Sequence, residues 1–359
     1  MPHKVNSHTY FRFSIRCIGI VLLTLLFNIY LTGCSRLQAK DSSNPSSIDF
    51  ITRSEFLLNT VVTIQLYDKQ DEDILAGCFD LISKYELVYS RTDKDSELYK
   101  LNHRLLPMED NAYLISEELS DLLSYGLSYC RISDGTFDIT IGSVSSLWKF
   151  TRLTPVIPLR EDLLAALDTV DYQTLELKED RIIFHKDGVQ IDLGAIAKGY
   201  IADRVKDYLL SNGVSSAMIN LGGNVLCVGE KPDGSSFHVG IQKPFGEKNE
   251  TIAILDIRNL SVVSSGSYER YFEVEGITYH HILNPKTGYP VDNNLISVTI
   301  ISKQSMDGDG LSTSCYVLGL EKGLKLIESL PYTYAIFVTS DNNIHYSKGL
   351  KEAFNVYEP

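Results

Sequence analysis

Between Ser216 and Ser302 the chain runs through six short segments dense in β-branched and apolar residues. They are Ser216 to Val228, Ser236 to Gln242, Thr251 to Ile257, Ser261 to Ser265, Arg270 to Val274 and Leu295 to Ser302. Such runs read as strands, and they commit the second half of the chain to sheet. The first half reads differently. Asp71 to Ser90 sets Ile74, Leu75, Cys78, Phe79, Leu81, Ile82 and Tyr85 at helical spacing. Ser116 to Arg131, Leu159 to Leu167 and Ala197 to Ser211 predict further helices, the last stopped by Asn212-Gly213. Glu55 to Tyr67 predicts one strand, and Thr174 to Asp192 a β-hairpin with turns at Glu179-Asp180 and Asp187-Gly188. Helices from about Asp309 to Leu320 and around Glu321 to Leu330, then a hairpin near Thr333 to Tyr346, complete the chain. No Pro/Gly/Ser-rich linker divides it after residue 50. The expectation is a single α+β domain over residues 50–359, a mixed sheet with flanking helices.

The residues before 50 carry an address instead of a fold. Lys4, Arg12 and Arg16 precede an apolar run from Cys17 to Thr32, interrupted by Asn28 and ending in Leu31-Thr32-Gly33-Cys34. A basic start, a short apolar stretch and small residues before a cysteine form a lipoprotein signal pattern. Residues 1–33 are expected to be cleaved, and Cys34 to carry the lipid. Residues 34–49, with Asp41-Ser42-Ser43-Asn44-Pro45-Ser46-Ser47, read as a polar tether. The expected location is the extracytoplasmic face of a bacterial cell membrane. The competing reading is a membrane-spanning anchor, for which the run is short and irregular.

Charge narrows the partners. The formal net charge is −13, and residues 1–33 hold three of the 33 basic residues and none of the 46 acidic ones, so the remainder carries −16. An acidic body repels nucleic-acid phosphate, and no nucleic-acid partner is expected. An anionic ligand would need local help from a cation or from backbone N–H groups. Cys78, Cys130, Cys227 and Cys315 are widely spaced and form no CxxC, which argues against a thiolate metal site. Buried free thiols are the simpler expectation, with a disulfide as the alternative.

Four segments hold small and charged residues that packing alone does not require. In Ile191 to Tyr200 (IDLGAIAKGY) a strand ends at Asp192, a glycine turn follows and a helix begins. A helix N-terminus suits a phosphate, although strand–Gly–helix junctions are also common structural turns. In Asp307 to Thr313 (DGDGLST), a helix beginning near Asp309 would set Asp309 and Thr313 at i and i+4 on one face, within reach of one hard cation. Asp309 as a helix cap is the equally simple alternative. In His280 to Pro290 (HHILNPKTGYP), turn residues would fix His281, either as a hydrogen-bond donor or as a structural histidine. In Gly135 to Trp148 (GTFDITIGSVSSLW), joined by Ile219 to Asn224 (INLGGN), the residues could frame a flat ring or simply fill the core.

These blocks, together with Ser90 to Asn102 (SRTDKDSELYKLN) and Ser264 to Phe272 (SSGSYERYF), run in an order that resembles the ApbE-type FAD:protein FMN transferases, from about residue 50 to the C-terminus. The resemblance implies an ApbE-like, T-fold-like core. It also implies a Mg²⁺-dependent enzyme that splits FAD and passes FMN to a Thr or Ser hydroxyl of another protein, releasing AMP. By the same resemblance Asp309, Thr313 and the main-chain oxygen of Ala195 would hold Mg²⁺. Asp192 and Lys198 would contact the dinucleotide, Thr136, Phe137 and Asp138 would line its pocket, and His281 and Leu283 would face the ligand. Asp309 and His281 are the implied catalytic residues, with Asp307 a further candidate for the proton acceptor. Leu58 falls where the family has the methionine of a Met-Gly-Thr opening. Two departures stand out: Leu58-Asn59-Thr60 replaces that opening, and Arg91-Thr92-Asp93 stands where many relatives carry an aromatic. The implied partners are FAD and acceptor flavoproteins with a Ser/Thr motif, either membrane redox-complex subunits or exported reductases. An FAD pyrophosphatase and a non-catalytic flavin-binding lipoprotein are the alternatives.

Overall fold

A computed structural model describes residues 49–150, 155–247 and 250–358. The expected signal peptide, the Cys34 lipidation site and all but the end of the tether lie outside the described residues. Residues Ile48–Pro359 cluster as one compact unit.

Its centre is an eight-stranded sheet. In spatial order it comprises β1 (Ile51–Leu57), β2 (Thr60–Leu66), β7 (Ala217–Leu221), β8 (Asn224–Val228), β11 (Ser261–Gly266), β14 (Leu295–Ser302), β15 (Tyr334–Thr339) and β16 (Ile344–Tyr346). Neighbouring strands pair antiparallel throughout. Alternation along these strands divides the apolar residues between two faces. Leu226, Val228, Val298, Ile300 and Phe337 face the main core, whereas Cys227, Ile301 and Ile336 face a second cluster. The second cluster is closed by a small sheet of β9 (Phe237–Gln242), β10 (Thr251–Ile257) and β17 (Val356–Tyr357). The main core is closed by helices: α1 (Glu72–Tyr89), α2 (Glu97–Asn102), α3 (Glu117–Ile132), α6 (Ala197–Ser211), α7 (Ser305–Leu318) and α8 (Leu320–Glu328). A four-stranded sheet of β3 (Met108–Glu109), β4 (Ala112–Leu114), β6 (Arg181–Phe184) and β5 (Leu175–Lys178) flanks them. A hairpin of β12 (Tyr271–Val274) and β13 (Ile277–His280) packs with α4 (Gly142–Leu147) and α5 (Arg160–Leu167) around Trp148. A single turn, α9 (Leu350–Ala353), precedes the last strand. No helix among the described residues is long and apolar enough to cross a membrane.

Several expectations change. The single strand over Glu55 to Tyr67 is a hairpin, broken at Leu58 and Asn59, which both take left-handed backbone angles (φ 54° and 57°). Asparagine tolerates that region whereas leucine rarely enters it. Ser216 to Val228 likewise folds back at Gly222-Gly223. The arm after Asp187-Gly188 is not a ladder strand but a single bridge between Gln190 and Ile141. Strand β13 and helices α2 and α4 are too short or too polar to show periodicity. The four cysteines are free and buried, as expected, and burial pushes the thiols of Cys78, Cys227 and Cys315 up to about 12.

The helix carrying Asp309 begins at Ser305, a full turn earlier than expected, so Asp309 is not its cap. The signal that starts it comes from another helix. Both carboxylate oxygens of Asp203 on α6 accept the Ser305 and Met306 N–H groups (2.8 and 3.0 Å). Helices α6 and α7 touch at Gly199, where a Cβ would stand 2.4 Å from the Ser305 carbonyl oxygen and 2.6 Å from Met306 Cα. Those obstacles are backbone and cannot rotate away. Gly199→Ala is therefore expected to destabilise the fold by roughly 1–3 kcal/mol. An unchanged urea midpoint would mean that the two helices can separate freely.

Candidate active site

The contact between α6 and α7 builds the site. Asp309 lies on the buried side of α7, only 4% exposed, and Thr313 follows one turn later on the same helix. Asp309 Oδ2 accepts the Gly199 N–H at 2.6 Å. Had α6 continued unbroken toward its N-terminus, that N–H would have gone to the Ala195 carbonyl. Among the described residues the Ala195 oxygen accepts no hydrogen bond, so it remains free at the helix start. Asp309 Oδ1 receives Asn224 Nδ2 at 3.2 Å and has Lys198 Nζ at 3.6 Å. Thr313 Oγ1 lies 3.3 Å from Ser265 Oγ on β11, which also meets Ser312 Oγ at 2.8 Å. One carboxylate and one hydroxyl share a face of α7, and the peptide carbonyl precedes the helix whose Gly199 N–H meets that carboxylate. All are hard oxygen donors, the set that Mg²⁺ accepts when water and phosphate complete its shell. Among the described residues no three His, Cys, Asp or Glu side chains gather as a metal cluster, so a cation here would rely on this mixed set.

The two adjacent histidines part company. His280 donates from Nε2 to the Val291 carbonyl (3.0 Å) and accepts the Ile282 N–H at Nδ1, a structural assignment. His281 is held through its own N–H on the Arg270 carbonyl at 3.1 Å, yet its buried Nδ1 has no partner. Burial, with the Arg270 and His280 charges and then Lys198 nearby, pulls its pKa down to about 3. The turn after it is secured by Trp148, whose Nε1 donates to the Gly288 carbonyl (2.8 Å). Leu283 packs in that satellite cluster with Trp148, Val144, Leu163 and Phe272.

Asp192 is the anchor of a second group. Its Oδ2 pairs with Arg91 Nε at 2.9 Å and accepts Ser145 Oγ at 2.7 Å, and its Oδ1 accepts the Gly194 N–H at 3.0 Å. Arg91 Nη1 also donates to Ser146 Oγ at 2.9 Å. The residue that departs from the family pattern is therefore matched to a carboxylate in the glycine turn. The remaining candidates are held internally. Asp138 accepts from Thr140 at Oδ1 and from the Tyr172 N–H at Oδ2, and burial raises its pKa. Thr136 Oγ1 donates to Ser133 O, and Phe137 packs on Tyr129 in the core. Leu58 donates its N–H to Glu86 Oε1 (3.0 Å). Among the described residues none of these four hydrogen-bonds to the Asp309 group. Asp307 accepts Tyr129 OH at 2.5 Å, and burial raises its pKa. Asp203, Gly199, Asn224, Ser305 and Ser265 escaped sequence reasoning as site residues, because their roles arise from contacts between distant segments.

A histidine whose folded pKa lies below its ordinary 6.5 is neutral above that value and opposes folding as pH drops toward 3. His281 is expected to show no imidazole titration between pH 5.5 and 8 by NMR. Between pH 6.5 and 5 the His281→Asn variant is expected to lose less stability than the parent. A His281 resonance titrating near 6.5 would contradict this environment.

The comparisons with known proteins agree with this architecture. The ApbE family model matches residues 58–337. An FAD:protein FMN transferase of Klebsiella pneumoniae is 37% identical over 293 residues, covering 81% of this chain and 90% of that protein. One of Treponema pallidum is 31% identical, covering 86% and 89%. Among solved structures, the ApbE protein of Thermotoga maritima superposes with a TM-score of 0.76 at 30% identity, covering 85% of this chain and 99% of that one. The apo flavinyl transferase ApbE of Pseudomonas stutzeri gives 0.75 at 28%, covering 86% and 98%. The fold is ApbE-like, and the chain belongs to the ApbE family.

Proposed function

We propose that the protein is a Mg²⁺-dependent FAD:protein FMN transferase. It attaches FMN through a phosphoester to a Thr or Ser of exported or membrane flavoproteins and releases AMP. The relatives, FAD:protein FMN transferases, support the reaction class. The observation that carries the metal reading is the bond from the Gly199 N–H to Asp309, which ties that carboxylate, one turn from Thr313, to the helix that Ala195 precedes. A bound Mg²⁺ would offset diphosphate charge in an acidic protein and stabilise the charge developing on the AMP leaving group.

The chain's own residues supply positioning. Lys198, 3.6 Å from Asp309 Oδ1, places a positive charge where phosphate oxygens would gather. His281, neutral and unpartnered at Nδ1, can form a hydrogen bond to the dinucleotide without adding charge. Phosphoryl transfer proceeds largely through such positioning and electrostatics. Asp307 accepts the Tyr129 hydroxyl at one oxygen, and burial raises its pKa, which keeps it a candidate proton acceptor for an incoming hydroxyl. The acceptors that the family resemblance implies fit the N-terminal address: a Cys34 lipid and a 34–49 tether would hold the enzyme at the extracytoplasmic membrane face, where it would meet membrane redox-complex subunits and exported reductases.

The test is mass spectrometry of a cell-envelope flavoprotein produced in cells lacking the transferase, then incubated with the chain from residue 35, FAD and Mg²⁺. The expected product is the acceptor plus one FMN, with AMP in equal amount. EDTA should abolish the gain and Asp309→Ala should slow it by roughly 100-fold or more. FMN and AMP released with the acceptor unmodified would identify an FAD pyrophosphatase instead. Bound but intact FAD would identify a flavin carrier.

A further inference from the structure

Asn224 stands at the start of β8, 2% exposed, with its amide turned toward α7. Its Oδ1 accepts the Ser305 hydroxyl at 2.6 Å, and its Nδ2 donates to Asp309 Oδ1 at 3.2 Å. Ser305 and Asp309 are four residues apart on α7, so one amide spans a full helical turn. The acceptor-only Asp309 carboxylate fixes which end of the amide is nitrogen, and Ser305 Oγ, which itself receives Ser261 Oγ at 2.9 Å, holds the oxygen end by donating to it. The other carboxylate oxygen is already fixed by the Gly199 N–H. Held from two sides, the Asp309 carboxylate is fixed in orientation, with Lys198 Nζ 3.6 Å from Oδ1.

We infer that Asn224, locked by Ser305, is the positioning residue that presents the Asp309 carboxylate to a divalent cation. The inference rests on the cation reading above and adds to it a residue that touches neither cation nor substrate. Asn224 is neutral, so it orients Asp309 without cancelling the negative charge that attracts the ion. Outer-shell partners of this kind, when removed, typically cost ~10–100-fold in metal affinity.

The experiment is Mn²⁺ binding to the chain from residue 35, followed by the electron paramagnetic resonance signal of free Mn²⁺, with melting temperatures recorded without metal. The Asn224→Ala variant is expected to bind Mn²⁺ ~10–100-fold more weakly. Its Mg²⁺ requirement for turnover should rise in step. Ser305→Ala, which unlocks the amide but keeps the donor, should fall between the two. Val239→Ala, in the cluster on the far face of the sheet, controls for lost stability and should lower the melting temperature with Mn²⁺ affinity unchanged. Parental affinity in Asn224→Ala, or in Ser305→Ala should the first fail to fold, would overturn the inference while leaving the cation reading intact. Failure of the parent chain to bind Mn²⁺ would overturn both.

Discussion

The site depends on one steric fact: at Gly199 the backbones of α6 and α7 come closer than any side chain would allow. The contact is apolar in neither partner, and polar groups maintain it. Asp203 caps the start of α7, and the Gly199 N–H leaves its own helix to bind Asp309. A single approach therefore starts one helix, shortens another and leaves a peptide carbonyl open. Burial of the Asp203 carboxylate pushes its pKa up to about 6, whereas its two N–H partners act in the opposite direction. The capping geometry thus offsets part of a desolvation cost that the helix contact itself creates.

Around this contact the sheet acts as a rigid frame. Strand β8 supplies Asn224 and β11 supplies Ser265, each from below the same helix face. The hairpin β12–β13 begins at Arg270 and returns at His281, where the Arg270 carbonyl receives the His281 N–H. The candidate site residues are thus drawn from segments far apart in the chain yet fixed on regular elements or tightly bonded turns. Such preorganisation suits a reaction in which positioning carries most of the catalysis.

Much of this was legible in the sequence. The helices with strong periodicity and side-chain caps, such as the one starting behind Asp71, fall within a residue of expectation. The Asp309–Thr313 spacing correctly placed both groups on one helix. The start of that helix was misjudged because its cap, Asp203, lies about a hundred residues earlier in the chain. The single strand over Glu55 to Tyr67 was misread because leucine at position 58 masks a turn that a glycine would have announced. The bonds that hold Asp138, from the Thr140 and Tyr172 N–H groups, were likewise not visible in the sequence. Arg91, in the segment where many relatives carry an aromatic, completes an ion pair with Asp192 that the sequence did not announce. These failures share a cause: a lone sequence displays donors and acceptors but not which distant group meets them.

The pairing of β2 with β7, Val62 opposite Leu221, has a consequence for how the protein comes to exist. The N-terminal hairpin can close at once, but its next neighbour in the sheet is made only after the intervening helices. Sheets built on such distant partners form slowly, since loop-closure entropy is lost before the contact rewards it. During that delay β2 offers an unpaired edge with Val62, Ile64 and Leu66 uncovered. Assembly of the central sheet, rather than helix formation, would then set the pace of maturation and the window in which the chain is prone to aggregate.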